Sequence, residues 1–287
     1  MIGLPGVLES VPAESRPLSA GAFYWCDLRT GQIGFPTGLA VKIGLPGSLM
    51  KLVAAAALKE EGLLPSNQTF DCPGSLVVRR KRYTCQKAHG RLDLVQAIGH
   101  SCNLFFAQAA EALSPALFIA YARRFGLDKP VAGYDSGPFP ASAHTDSRSY
   151  VLGLAEDLKP TALQILQLSA LIATRGTPPF LHSAEAPQPS AQPIRLDLAQ
   201  PTWATLDQGM QLACRQGTAR QLDPENRLKL AAKTGTAPYG KTFQSWITGY
   251  FPCDLPRHAF CARAFEGTSQ DKAVPLARQF LFATDWP

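Results

Sequence analysis

The chain has 287 residues, 46% hydrophobic and 17% charged, with 28 Lys and Arg against 22 Asp and Glu for a net charge of +6. That balance excludes a disordered chain and leaves room for one large domain or two subdomains sharing a core. The longest apolar run, Leu52 to Leu58, is too short to span a bilayer, and Met1 to Ser19 show no basic region followed by an apolar stretch. Any export signal or membrane anchor is therefore expected outside this chain or on a partner protein.

Residues 1–20, rich in Pro, Ser and Glu without a period, read as a lead-in segment. Ala22 to Ile33 predicts a hairpin turning at Asp27 to Gly31. A loop to Gly47 feeds an almost wholly apolar helix, Leu49 to Leu58, which ends near Gly62. Residues 63–90 are loop-rich and hold a basic hairpin candidate, Arg79-Arg80-Lys81-Arg82. Leu92 to Gly99 and Leu104 to Leu113 predict two short helices, interrupted at His100-Ser101-Cys102-Asn103. Ser114-Pro115 caps a third that stops at Gly126, and 128–158 is expected to be irregular. Thr161 and Gln164 match a capping box ahead of a helix to Ala173. After a Pro-rich loop at 177–193, Trp203, Leu206, Met210 and Ala213 mark a helix stopping at Gly217. Strands follow at Leu228 to Gly235, Phe243 to Phe251 and Arg257 to Phe265, the last two joined by a tight turn, and Asp271 to Ala283 closes the chain as an amphipathic helix.

Strands at both ends with helices between them predict an α/β chain of the α+β type, an antiparallel sheet flanked by helices with an inserted, mostly helical lobe. The sheet part is expected at about 21–47 and 228–287, and the lobe at about 63–227. The basic run carries no nucleic-acid motif and reads as a solvated hairpin tip, so no nucleic-acid partner is expected. An acidic polymer or a carboxylate-bearing substrate is a better match for the charge. Seven cysteines show no zinc spacing, since no C-x2-C or H-x3-H pair occurs, and neither metal nor cofactor is expected. Cys72 and Cys85 flank a possible hairpin and are candidates for a disulfide in an oxidising compartment, whereas a Cys253–Cys261 bridge is disfavoured because Cys253 would face His258. His89 and His100 read as structural.

Three short motifs stand in order: Ser48-x-x-Lys51, Ser101-x-Asn103 and Lys233-Thr234-Gly235, the last extended by Thr236-Ala237. Ser48 and Lys51 share a helix face, and a lysine in apolar surroundings has a lowered pKa, so it can take the serine proton. Taken singly, each has a plain structural reading: Ser48 an N-cap with Lys51 reaching solvent, Ser101 and Asn103 a helix cap, Lys233 an exposed strand lysine, Gly235 a bulge. None of these explains the three together in this order.

On these motifs the chain resembles the penicillin-binding transpeptidase family over roughly residues 20–285, with Pro46-Gly47, the Cys72 to Asn103 stretch, the Thr161 helix start and Gly217-Thr218-Ala219 adding to the likeness. The resemblance implies the β-lactamase/transpeptidase fold and an acyl-enzyme on Ser48, formed from a D-Ala-D-Ala stem peptide of peptidoglycan. Lys51 is then the general base, Ser101 a proton relay, and Asn103 a ligand for the substrate amide and for Lys51. Lys233, Thr234 and Thr236 receive the terminal carboxylate, Gly235 lets the substrate backbone approach, and the N–H groups of Ser48 and Thr236 form the oxyanion hole. β-Lactams are implied as covalent inhibitors, and the expected location is extracytoplasmic. Two alternatives stand beside the transpeptidase or carboxypeptidase reading. One is a β-lactamase, for which Glu156, Asp157 or a modified Lys51 would have to activate water; both acids read more simply as solvated groups near a helix N-terminus. The other is a penicillin sensor that does not turn over.

Overall fold

The computed structural model describes residues 21–35, 43–65, 67–143, 146–183 and 193–286. The lead-in at 1–20 and parts of the loops expected before Gly47 and at 177–193 lie outside the described residues. Strands β1 (Gly21–Asp27) and β2 (Ile33–Gly34) come from the start of the chain. β7 (Ala231–Tyr239), β8 (Thr242–Phe251) and β9 (His258–Phe265) come from its end. All five form one antiparallel sheet in the order β2-β1-β9-β8-β7, which leaves β7 at an edge.

Side chains alternate across a strand, so each face of this sheet receives its own set. Tyr24, Cys26, Trp246, Tyr250 and Cys261 pack into the core with helix α6 (Ala162–Ala173). Phe23, Ile247, Phe251, Phe260 and Ala262 pack with α8 (Val274–Ala283) on the other side. Packing on both faces explains why β8 and β9 are buried almost throughout rather than on alternate residues. Helix α1 (Met50–Glu60) is buried from Met50 to Leu58, and α4 (Pro115–Arg124), α5 (Ser147–Val151) and α7 (Gln200–Arg215) pack around it. Two small two-stranded sheets, β3 (Phe70–Cys72) with β6 (Gly90–Leu92) and β4 (Ser75–Val78) with β5 (Lys81–Thr84), precede α2 (Leu94–Gly99) and α3 (Asn103–Ala109). Among the described residues no helix is long and apolar enough to cross a membrane.

The elements differ from expectation where side chains, rather than periodicity, set the ends. Asp93 and Gln96 close a capping box, so α2 starts at Leu94 and Leu92 belongs to β6. Helix α5 occupies part of the stretch expected to be irregular, started by the Asp146 carboxylate accepting from the Arg148 N–H. The tight turn joins β7 to β8, where Tyr239 pairs with Thr242, and β8 connects to β9 by a longer loop. His258 therefore pairs with Phe251, not Cys253. Arg79 and Arg80, both at positive φ, turn the basic hairpin as a two-residue loop between β4 and β5. All seven cysteines are free, and the Cys72 and Cys85 sulfurs lie 3.8 Å apart, unbonded.

Candidate active site

Ser48 sits in a single 3-10 turn, Gly47–Leu49, that runs into α1. Gly47 adopts φ +55, and a Cβ there would collide with the Thr236 carbonyl of β7. Only glycine lets this turn lie against the strand. The same contact explains Gly235, whose added Cβ would come within 2.5 Å of the Pro46 carbonyl and 3.0 Å of Leu49. Its missing side chain thus admits the serine-bearing turn, which differs from the expectation that it admits substrate. Lys233 and Gly235 lie on one face of β7, while Thr234 and Thr236 line a cavity of about 340 Å³ together with Ser48, Ser101 and Asn103.

The plain readings of the motifs do not describe these side chains. Helix α1 has no side-chain cap, and Lys51 is 0% exposed. Cys102, not Ser101 or Asn103, caps α3 by accepting from the Phe105 N–H. Ser101 takes φ +54, which turns its hydroxyl back toward the two lysines. Lys233 is likewise 0% exposed.

The polar groups of the three motifs converge. Lys51 Nζ donates to the Ser101 carbonyl at 2.7 Å, to Asn103 Oδ1 at 2.6 Å and, more weakly, to Ser101 Oγ at 3.4 Å. Asn103 is fixed in turn by Nδ2 donating to the Thr84 carbonyl at 2.7 Å. Lys233 Nζ donates to Ser101 Oγ at 2.8 Å and to the Thr234 carbonyl at 2.9 Å. Ser101 Oγ therefore stands between two buried amines. Burial lowers Lys51 to about 8, opposed by the nearby Cys102 and Cys85. Burial, and then the charge of Lys51, push Lys233 well below the ordinary lysine value. A neutral amine has two hydrogens and a lone pair. The two short bonds of Lys51 use both hydrogens and leave the lone pair free to accept a proton. Among the described residues no hydrogen bond joins Lys51 Nζ to Ser48 Oγ in this state.

Three residues that line the cavity carried no signal in the sequence: Tyr83, Ser269 and Gln270 arrive from the β5 hairpin and from the turn before α8. Thr234 Oγ1 donates to Thr218 Oγ1 at 2.7 Å, and Ser269 N–H donates to Thr236 Oγ1 at 3.1 Å, so both β7 hydroxyls are held in place. Glu156 pairs with Lys159 at 2.6 Å, and Asp157 accepts from the Tyr150 hydroxyl at 2.7 Å. Neither lines the cavity, and none of its lining residues is a carboxylate. His89 and His100, which also line it, stack at 5.6 Å, both with pKa lowered by burial. The sequence shows no zinc spacing, but four possible metal ligands meet in space. Cys72, Cys85, His89 and Cys102 bring their ligand atoms within 4.8 Å of one another, although Cys72 and Cys85 are 13 positions apart and Cys85 and Cys102 are 17 apart.

Known proteins match both the sequence and the fold. The family profile described as penicillin binding protein transpeptidase domain matches residues 39–281. Penicillin-binding protein PbpB of Mycolicibacterium smegmatis is 27% identical over 270 residues, covering 80% of this chain and 41% of that protein. Peptidoglycan D,D-transpeptidase PbpA of the same organism is 25% identical over 276 residues, covering 83% of this chain and 54% of that protein. The chain thus spans about half or less of these relatives. A solved structure described as structural coordination of polymerization and crosslinking by a peptidoglycan synthase complex superimposes with a TM-score of 0.78 at 25% identity, covering 92% of this chain and 55% of its own.

Proposed function

We propose, from the premise that this chain belongs to the penicillin-binding protein transpeptidase family, that it is a serine acyltransferase acting on peptidoglycan stem peptides, a D,D-transpeptidase or carboxypeptidase. The observation that carries this reading is the convergence of Lys51, Lys233, Ser101 and Asn103 beside the cavity onto which Ser48 opens. In this mechanism Ser48 Oγ attacks the carbonyl of the penultimate D-Ala and passes its proton to the Lys51 lone pair. The N–H groups of Ser48 and Thr236 receive the oxyanion. Collapse of the tetrahedral adduct breaks the amide bond, and the Ser101 hydroxyl hands a proton to the departing D-Ala amine, replenished from the lysines on either side. An acceptor amine or water then takes the acyl group from Ser48 and regenerates the serine. Thr234 and Thr236 offer hydroxyls to the terminal carboxylate, whose charge favours the protonated form of Lys233. A β-lactam enters the same path and stays as an acyl adduct. The site of action is extracytoplasmic, at the cell wall, with the membrane or a partner protein holding the chain there.

The β-lactamase alternative needs rapid deacylation. The cavity lining offers no carboxylate to activate a water for that step, which supports a long-lived acyl-enzyme. Intact mass followed over time after mixing with benzylpenicillin tests the reading. One adduct persisting for many minutes and absent from Ser48→Ala is expected. A Ser48→Ala adduct overturns the nucleophile assignment, and a rapidly vanishing adduct with accumulating hydrolysed drug means a β-lactamase. A stable adduct from a chain inert toward stem peptides identifies a sensor.

A further inference from the structure

The small sheets beside the active site are weakly supported by apolar packing. β3–β6 and β4–β5 are two-stranded and three or four residues long, and few of their side chains are buried. Isolated two-stranded units are marginal in water, so something besides a core must hold these. The four residues Cys72, Cys85, His89 and Cys102 sit at the end of β3, after β5, before β6 and at the start of α3. One centre joining them would tie both small sheets to the Ser101-Cys102-Asn103 joint.

The distances fit such a centre. Cys72 Sγ lies 3.8 Å from Cys85 Sγ, which lies 3.8 Å from Cys102 Sγ, and Cys72 Sγ lies 3.4 Å from His89 Nδ1. A tetrahedral zinc ion with Zn–S of about 2.3 Å and Zn–N of about 2.0 Å has S···S edges of about 3.8 Å and S···N edges of about 3.5 Å. A disulfide accounts for the cluster less well, because it joins two of the three sulfurs and leaves the third and the imidazole unused. The surroundings also suit a closed centre. Cys72 and Cys102 are shielded from solvent, and Cys102 Sγ accepts from the Phe105 N–H. Three sulfurs and one imidazole select a borderline-soft divalent ion and exclude calcium and magnesium as natural occupants.

We propose that Cys72, Cys85, His89 and Cys102 form a structural metal site of the zinc class, which fixes the hydrogen-bond partners of Lys51. Binding expels the remaining thiol protons to solvent and leaves a closed four-ligand centre with no open position for substrate. Its link to the catalytic groups runs through two neighbours. Cys102 lies between Ser101 and Asn103, and Cys85 follows Thr84, whose carbonyl receives Asn103 Nδ2. The metal therefore holds both ends of the Asn103 bridge and, through it, Lys51. These four are positioning residues.

The test uses the reduced full chain, stripped with EDTA and desalted. Titration with Zn²⁺ followed by metal analysis is expected to give one ion per chain. Co²⁺ is expected to give thiolate charge-transfer bands and strong tetrahedral d–d bands. Cys85→Ser and His89→Ala should weaken Zn²⁺ binding by about a hundredfold or more. Failure of the wild-type chain to retain Zn²⁺ with its thiols reduced, a Co²⁺ spectrum without thiolate bands, or a Cys72–Cys85 disulfide in the native chain overturns the site. The positioning role rests on the reading of Ser48 as nucleophile and is measured separately. Stripped protein should acylate with benzylpenicillin at least about tenfold more slowly and recover with Zn²⁺. Equal rates overturn the positioning role while the metal count stands by itself.

Discussion

At the scale of single residues, the site rests on burying two lysines where each disfavours charge on the other. Taking Lys51 from its ordinary value of 10.5 to about 8 costs the folded chain roughly 3 kcal/mol at neutral pH. On the proposed mechanism, that cost makes Lys51 a usable base. The rate of acylation by benzylpenicillin should rise with pH through an ascending limb near pH 8, as Lys51 loses its proton. Lys233, Cys85, Cys102 and His89 are titratable groups that interact with it. Lys51→Ala should slow acylation about a hundredfold to ten-thousandfold and remove that limb. A rate that is flat from pH 6 to pH 9 would remove Lys51 from the role. The pairing of Ser48 with Lys51 was legible in the sequence because it is local: three positions on one helix face. Cys102 was hidden for the opposite reason. Its partners come from three other elements, and no spacing along the chain encodes their meeting.

The same division between local and distant information holds for whole elements. The capping box of α6 is visible as Thr161 and Gln164, and both of its hydrogen bonds form, Thr161 N–H to Gln164 Oε1 at 2.8 Å and Gln164 N–H to Thr161 Oγ1 at 3.2 Å. The fully buried Gln164 amide does more than close the box. Its Oε1 also accepts from the Gly137 N–H, and its Nε2 donates to the carbonyls of Leu127 and Lys129. It therefore pins the stretch expected to be irregular against the helix under the sheet. Thr161→Ala should cost about 1 kcal/mol, the usual worth of a cap. Gln164→Leu should cost more, about 2 kcal/mol or above, since it strands buried donors and acceptors. Urea unfolding of the two variants checks the order, and equal losses would mean that the distant bonds contribute nothing. Strand β7 was misplaced for a related reason. Leu228 to Gly235 looks like a strand by composition, but pairing with β8 runs instead from Ala231 to Tyr239 through the turn at Gly240.

For the whole molecule, the buried titratable groups predict the pH at which the fold is strongest. A lysine lowered by folding is a burden while protonated, and the burden lifts as pH rises from its folded value toward 10.5. Stability should therefore increase from pH 7 upward through the titration of Lys51 and Lys233. Cys26, pushed up by burial to about 12, and Cys214 and Cys261, pushed up likewise, act in the other direction. Above about pH 9 their thiols ionise in the unfolded chain only, and stability falls. Urea midpoints in reducing buffer should peak between about pH 8 and pH 9, with the rising limb flattened in Lys51→Met and Lys233→Met. A steady decline from pH 7 would count against both buried amines.

The pairing of β1 with β9, which sets Gly21 against Ala264, also fixes an order of events during synthesis. Ser48 leaves the ribosome long before Lys233, and β1 waits for a partner made near the end of translation. Contacts so far apart in the chain are slow to form and leave unpaired edges in the meantime. On the acyl-enzyme reading proposed above, a nascent or truncated chain that stops before β9 should be blind to β-lactams, and the drug should meet a target only once the last strand has closed the sheet.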